Sequence, residues 1–179
     1  IMVGEIRDHE TAVMAIQSSL TGHLVFSTLH TNDAASAVTR MLDLGIEPYL
    51  LSSSLLGVMA QRLVRRVCAE CGAPRDPTAD EATLLAEAPA ESRPATVISG
   101  DGCDACRKSG YRGRVGVYEL LKVDEAIRQQ VQTRANATAI RDEAVGAGMR
   151  LLRDDGLQKI AAGMTTPSEV LRVTVRASV

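Results

Sequence analysis

Four cysteines, set as Cys68-x-x-Cys71 and Cys103-x-x-Cys106 with 31 residues between the pairs, constrain this chain more than any other feature. A C-x-x-C pair lets two thiolates meet one ion from a single tight turn. Two such pairs complete a tetrahedral shell of four sulfurs, the geometry and ligand that Zn²⁺ prefers. Gly72 after the first pair and Gly102 before the second supply the backbone freedom that such knuckles need. A site with four protein ligands is closed, hence structural. The competing reading, unrelated buried cysteines or redox pairs, must account for the same spacing twice. A zinc ribbon that reads nucleic acid is disfavoured, because the gap exceeds the usual ~15–20 residues of ribbons. The intervening segment is also acidic (Asp76, Asp80, Glu81, Glu87, Glu91 and Asp101 against Arg75 and Arg93), the wrong sign for phosphate.

The rest of the composition narrows the class. With 179 residues, 45% of them apolar and 23% charged, the chain can bury a core, and its length suits one domain or one domain with a small appendage. A net charge of -2 and 2% aromatic residues argue against a nucleic-acid partner. No apolar run reaches eighteen residues, so no membrane-spanning helix is expected. The opening Ile1-Met2-Val3-Gly4-Glu5 lacks the basic region of a signal peptide, and none is expected there. It reads instead as a buried strand entered midway, so this segment is expected to be the C-terminal part of a longer chain.

The first third predicts alternating strands and helices. Ile1–Val3 reads as a strand stub, Thr11–Leu20 as a helix with Asp8 near its start, and His23–Thr28 as a buried strand. A helix capped by Thr31 or Asn32 then runs to Leu44, with Ala34, Ala37, Val38, Met41 and Leu42 on one face. This order predicts an α/β fold with a parallel sheet. Tyr49–Val67 reads as a long apolar helix, broken near Gly57 and ending in Arg62, Arg65 and Arg66. Residues 73–102, rich in proline, read as an extended loop or hairpin insert with a helix over 81–88. Arg114–Leu121 has strand character. Helices follow over 125–133 (capped by Asp124), 139–147 and 151–162. The last opens on Thr166-Pro167-Ser168-Glu169, a capping box with Pro at the first turn, and runs to about Val175.

Two further features bear on chemistry. An apolar strand leading into Gly4-Glu5 has the form of a Walker B element, whose carboxylate orients the attacking water or holds Mg²⁺ through water. The next strand ends in Thr28-Leu29-His30-Thr31, polar groups at the carboxyl edge of a parallel sheet, where ligands bind in open α/β folds. From chemistry alone His30 is equally readable as a capping or packed histidine, and His23 as a surface residue.

Several blocks together resemble the secretion ATPases that drive type II secretion and type IV pilus assembly. Gly4-Glu5-Ile6-Arg7-Asp8-His9-Glu10-Thr11-Ala12 resembles their Walker B signature, and Gly22-His23-Leu24-Val25-Phe26-Ser27-Thr28-Leu29-His30-Thr31-Asn32-Asp33 their His box. Ala60–Arg65 before the first cysteine pair, the run Gly110–Glu119, and the tail from Asp154 to Val170 match further blocks in the same order. Within the family, residues 45–57 look most like the type II secretion member. Type IV pilus extension ATPases share the cysteines, and retraction ATPases generally lack them.

The resemblance implies a partial RecA-like P-loop ATPase core over 1–67, a tetracysteine insert over 68–106, and a strand followed by a helical subdomain over 107–179. It implies Glu5 as the Walker B carboxylate, His23 and His30 as the His-box histidines, with His30 the better sensor of the γ-phosphate, and Cys68, Cys71, Cys103 and Cys106 as zinc ligands. ATP with Mg²⁺ would be the substrate of the intact protein. A homo-hexamer would work on the cytoplasmic face of the bacterial inner membrane, against a cytoplasmic adaptor and a polytopic platform protein, to assemble a pseudopilus. Arg7 and Arg62 lie in family blocks without an assignable role, a contact to a carboxylate or to another subunit being open to either. No G-x-x-x-x-G-K-[ST] loop is present, and Gly110-Tyr111-Arg112-Gly113-Arg114 lacks the Lys and Ser/Thr that grip phosphate. ATP hydrolysis by this chain alone is therefore expected to fail. The other reading is a catalytically silent, zinc-stapled module that docks on partner proteins.

Overall fold

A computed structural model describes residues 1–174. In chain order the elements are α1 (His9–Leu20), α2 (Ala34–Asp43), α3 (Pro48–Ser54), β1 (Gly57–Val67), β2 (Gly72–Arg75), α4 (Ala79–Leu85), β3 (Val97–Gly100), β4 (Tyr111–Lys122), α5 (Glu125–Gln132), α6 (Ala137–Gly146), α7 (Leu152–Ala161) and α8 (Pro167–Thr174). They form two compact units. One comprises Ile1–Ala60 with Glu119–Met149, the other Gln61–Tyr118 with Arg150 onward. The chain changes unit within β1 and within β4, two strands that pair with each other.

In the first unit the helices are set by caps and small apolar faces. The Asp8 carboxylate accepts from the Thr11 N–H and opens α1. The Asp33 carboxylate accepts from the Ser36 N–H and opens α2, so the cap lies one or two residues beyond the expected Thr31 or Asn32. Ala34, Ala35, Ala37, Val38, Met41 and Leu42 of α2 are buried, as their spacing predicts. Asp124 and Asn136 cap α5 and α6 in the same way. Ile46, Leu51, Leu121, Ile127, Val131 and Ile140 complete this core.

Of two expectations for the first unit, one is met only in part and the other is corrected. The parallel sheet is, among the described residues, a single parallel bridge, Met2↔Phe26. Its ladder continues on either side, with Phe26 N–H donating to Ile1 O (3.0 Å), Val3 N–H to Phe26 O (2.9 Å) and Ile6 N–H to Thr28 O (2.9 Å). The 23–28 segment is not buried: Leu24 and Phe26 are each 58% exposed. A parallel pair is buried by helices on its faces and by strands at its sides, and among the described residues neither segment has a second strand beside it. The expected long helix over 49–67 is also absent. It is the short α3 followed by β1, whose residues alternate between exposed and covered from Gly57 to Val64. Pairing with β4 decides this against residues such as Met59, Gln61 and Arg62 that favour helix elsewhere. Arg62, Arg65 and Arg66 are consequently strand residues.

The second unit holds the proline-rich excursion as a small folded body. β2 and β3 pair antiparallel, from Gly72↔Gly100 to Arg75↔Val97. α4 is opened by a capping box between Thr78 and Glu81. The Arg75 guanidinium grips both Glu81 oxygens at 2.6 and 2.7 Å, tying the strand to the helix. Leu84, Leu85, Ala88, Val97, Leu157, Ile160 and Val170 form this unit's core. Gly156 of α7 lets α8 approach, because a Cβ there would lie 2.5 Å from Val170 Cγ1. The expected capping box at Thr166 is replaced: the Thr166 hydroxyl meets those of Tyr111 and Ser168, both at 2.9 Å, and Glu169 turns to Arg65 and Arg172. Val175, where the last helix is expected to end, lies outside the described residues.

Candidate nucleotide edge and cysteine centre

Glu5 and His30 stand at the outgoing ends of the two parallel segments. Ile6 N–H donates to Thr28 O (2.9 Å) and the Thr28 hydroxyl to Gly4 O (2.8 Å), so residues 4–6 are pinned against residue 28. Ile6 is buried, which leaves Glu5 and Arg7 on the outer side. The His30 Nε2–H donates to Glu5 Oε2 at 2.9 Å, and Arg7 Nη2 lies 2.7 Å from Glu5 Oε1. The Arg7 contact, then the His30 contact, hold the Glu5 carboxyl below its ordinary range. His23 does not join this group. Its Nδ1 lies 3.3 Å from both Thr21 Oγ1 and Ser18 O, in its own turn at the end of α1.

The arrangement is an ionised carboxylate with an imidazole at one oxygen and a guanidinium at the other, open to water. It can orient a polar nucleophile and meet an anionic ligand. Of the two contacts the sequence leaves open for Arg7, the one to a carboxylate is seen here: extended backbone sets i and i+2 on one face, and its partner is Glu5.

Farther from the edge, the first unit carries a second polar group. The Glu119 carboxylate is 3% exposed and accepts from the Ala34 N–H at 3.0 Å. Arg141 donates to Asp33 at 2.9 Å. Both bind the start of α2 and serve its placement.

In the second unit the four cysteine sulfurs lie within 4.8 Å of one another. Cys68–Cys103 is 3.9 Å, Cys71–Cys106 3.8 Å and Cys103–Cys106 3.8 Å. A tetrahedron with Zn–S bonds of ~2.3 Å has edges of about 3.8 Å, so the thiols fit that ion. Cys68 and Cys106 are buried, and Cys71 and Cys103 half-buried. The Cys106 sulfur accepts from the Cys103 N–H (3.1 Å) and the Gly110 N–H (3.2 Å), which hold its thiol down to about 6. Burial pushes the Cys71 thiol up to about 12. Arg107 and Lys108, directly after the second pair, both take the left-handed conformation (φ 53 and 62), which lets the chain turn back toward Gly110.

Arg65 and Glu169, 104 positions apart, make an ion pair whose carboxylate is buried and whose guanidinium is half-exposed. Glu169 is 2% exposed and accepts from the Arg65 backbone N–H (2.8 Å), the Arg65 guanidinium (2.9 Å) and the Arg172 guanidinium (2.8 Å). Arg65 also stacks 4.1 Å above the Tyr111 ring.

The fold is α/β. It is shared with the pilus retraction motor PilT with bound ADP, at a TM-score of 0.65 and 23% identity over 99% of this chain and 40% of that one. The Legionella pneumophila ATPase DotB gives a TM-score of 0.63 at 21% identity, over 97% and 37% of the two chains. The chain belongs to the type II/IV secretion system protein family, whose sequence model matches residues 1–172. It is 49% identical to the type II secretion system ATPase E of Vibrio cholerae, over 97% of this chain and 34% of that protein. It is 51% identical to the type II secretion system protein E of Pseudomonas aeruginosa, over 97% and 34%. To the type IV pilus assembly ATPase PilB of Thermus thermophilus it is 48% identical, over 98% and 20%. The chain thus spans about a third or less of the length of these curated relatives.

Proposed function

We propose that this chain is the C-terminal part of an ATP-hydrolysing motor that powers type II protein secretion. The observation that carries the reading is the 2.9 Å contact between Glu5 and His30, which joins the Walker B-like and His-box-like segments at one edge. In this reading Glu5 orients the water that attacks the γ-phosphate and His30 senses that phosphate, with Mg²⁺ screening the phosphate charge. His23 supports the turn that leads into the same segment. The parallel pair is one edge of a RecA-like sheet, and the phosphate-gripping loop comes from outside residues 1–179, so the chain alone does not turn over ATP. Cys68, Cys71, Cys103 and Cys106 hold a structural Zn²⁺ that fastens the 73–102 excursion.

The intact motor works as a homo-hexamer on the cytoplasmic face of the inner membrane, against a cytoplasmic adaptor and a polytopic platform protein. No helix among the described residues is long and apolar enough to cross a membrane, which is compatible with a peripheral motor.

Residues 1–172 in place of the matching segment of the Vibrio cholerae ATPase test the assignment. Restored secretion in a strain lacking that ATPase is the expected outcome. Failure there, with restored pilus extension by the equivalent PilB chimera, would make the chain a pilus-assembly motor.

A further inference from the structure

We infer that Arg7 is the positioning residue for Glu5 in hydrolysis, fixing the carboxylate from one oxygen while His30 fixes it from the other. This role rests on the hydrolytic reading of Glu5 and adds to it the residue that aims the carboxylate.

The backbone on both sides is already anchored. Ile6 is hydrogen-bonded to Thr28 and buried, and the Thr28 hydroxyl holds Gly4 O. The remaining freedom is in the Glu5 side chain, whose last torsion is broad and roughly two-fold. One donor on each oxygen, Arg7 Nη2 at 2.7 Å and His30 Nε2 at 2.9 Å, removes that freedom. Each oxygen keeps a second lone pair, which can accept a proton from water. Arg7 is suited to the task because its planar guanidinium presents a fixed fork of N–H donors that matches the geometry of a carboxylate.

Arg7 also sets the pH range over which the carboxylate can act. The charged groups bearing on Glu5 are Arg7 and His30, and both lower its pKa, Arg7 more. A carboxylate that accepts a proton must be ionised, so turnover falls as pH drops through that pKa. Without Arg7 the pKa rises and the acid limb of the rate profile moves to higher pH. If Arg7 instead gripped a nucleotide phosphate, its loss would raise KM and leave the acid limb in place.

The test uses the longer ATPase that carries this segment, with Arg7→Ala, Arg7→Lys and Glu5→Gln assayed for Mg-ATP turnover across pH. Arg7→Ala is expected to lower kcat on the order of 10²-fold, the effect of a misaimed catalytic group, with KM little changed. Its acid limb moves up in pH. Arg7→Lys keeps the charge but not the fork, so it restores the acid limb more fully than it restores kcat. An unmoved acid limb in Arg7→Ala overturns the role, whether kcat holds or KM rises. Full turnover in Glu5→Gln would sink the hydrolytic reading itself, a separate result. In the 179-residue chain, the carboxyl ¹³C signal of Glu5 gives a readout without activity: Arg7→Ala should raise its titration midpoint, and an unchanged midpoint contradicts the inference.

Discussion

The two charged clusters of this chain are built in opposite ways. At the Glu5 edge, Arg7 is 71% and His30 81% exposed around a carboxylate that is 33% exposed. In the second unit, Glu169 is 2% exposed beneath Arg65 and Arg172, and the four sulfurs of the same unit crowd into one small centre. Exposed ion pairs add little to stability and are free to exchange partners with a ligand. A buried, multiply bonded carboxylate is committed to the fold, because removing a partner strands a charge in a dry place. The first cluster is therefore open to a ligand and the second committed to the fold, although both centre on a glutamate held by arginine. The cores differ in parallel. The first unit packs five helices and Leu121 into one apolar cluster, whereas the second has a smaller apolar core and adds side-chain fastenings.

The sharpest way to break this comparison is at the cysteines. Structural zinc binds with about 10–16 kcal/mol of apparent free energy, all of it available to the folded state. Cys103→Ser should abolish zinc retention and expose amides of residues 61–118 and 150–174 to hydrogen exchange, with protection kept in 1–60 and 119–149. Wild-type chain holding well under one zinc after gentle purification, or equal loss of protection in both units, would refute the assignment.

The Glu169 cluster comes next. Glu169→Ala removes a carboxylate that accepts from the Arg65 N–H and from two guanidinium groups, and should lower unfolding free energy by about 1.5–3 kcal/mol, read by denaturant titration. Acid tests the same group. Burial pushes the Glu169 carboxyl up, but Arg172 and Arg65 outweigh it and hold it down to about 2. A depressed carboxylate stabilises above its unfolded value of about 4.3, and that contribution fades as pH falls toward its folded value. The wild-type chain should therefore weaken between about pH 4.3 and pH 2. Glu169→Gln should lack that component of the acid loss, and an identical acid profile would contradict it.

Smaller effects follow in the first unit. Asp33→Ala removes the cap of α2 and the partner of Arg141, and should cost about 1–2 kcal/mol. Arg7→Ala and His30→Ala should each change unfolding free energy by less than about 1 kcal/mol. A loss as large as that of Glu169→Ala would make the Glu5 edge a structural cluster and erase the contrast.

Much of this was readable in the sequence wherever a local rule decides the structure. Asp8 and Asp124 announce their helices, and the alanine-rich face of α2 faces inward as its spacing requires. The cysteines meet because their spacing leaves few other arrangements. What was misread depends on distant partners. β1 is composed largely of residues that also suit a helix, and only β4, some fifty residues later, makes it a strand. Glu169 has the spacing of a capping box but is captured by Arg65, 104 positions away. At the Glu5 edge, the motif blocks singled out Glu5 and His30, and the structure brings them together across 25 positions. The grip of Arg7 on Glu5 needed the backbone anchors at Gly4 and Ile6 to become visible.

The central claim is that the open carboxylate is the hydrolytic one, and Glu5→Gln in the intact motor tests it most directly. Turnover of Mg-ATP and equilibrium binding of the nucleotide would be measured on the same preparation. The account predicts binding close to wild type and turnover reduced on the order of 10²–10⁴-fold, the range typical of a lost general base. Turnover equal to wild type would contradict it.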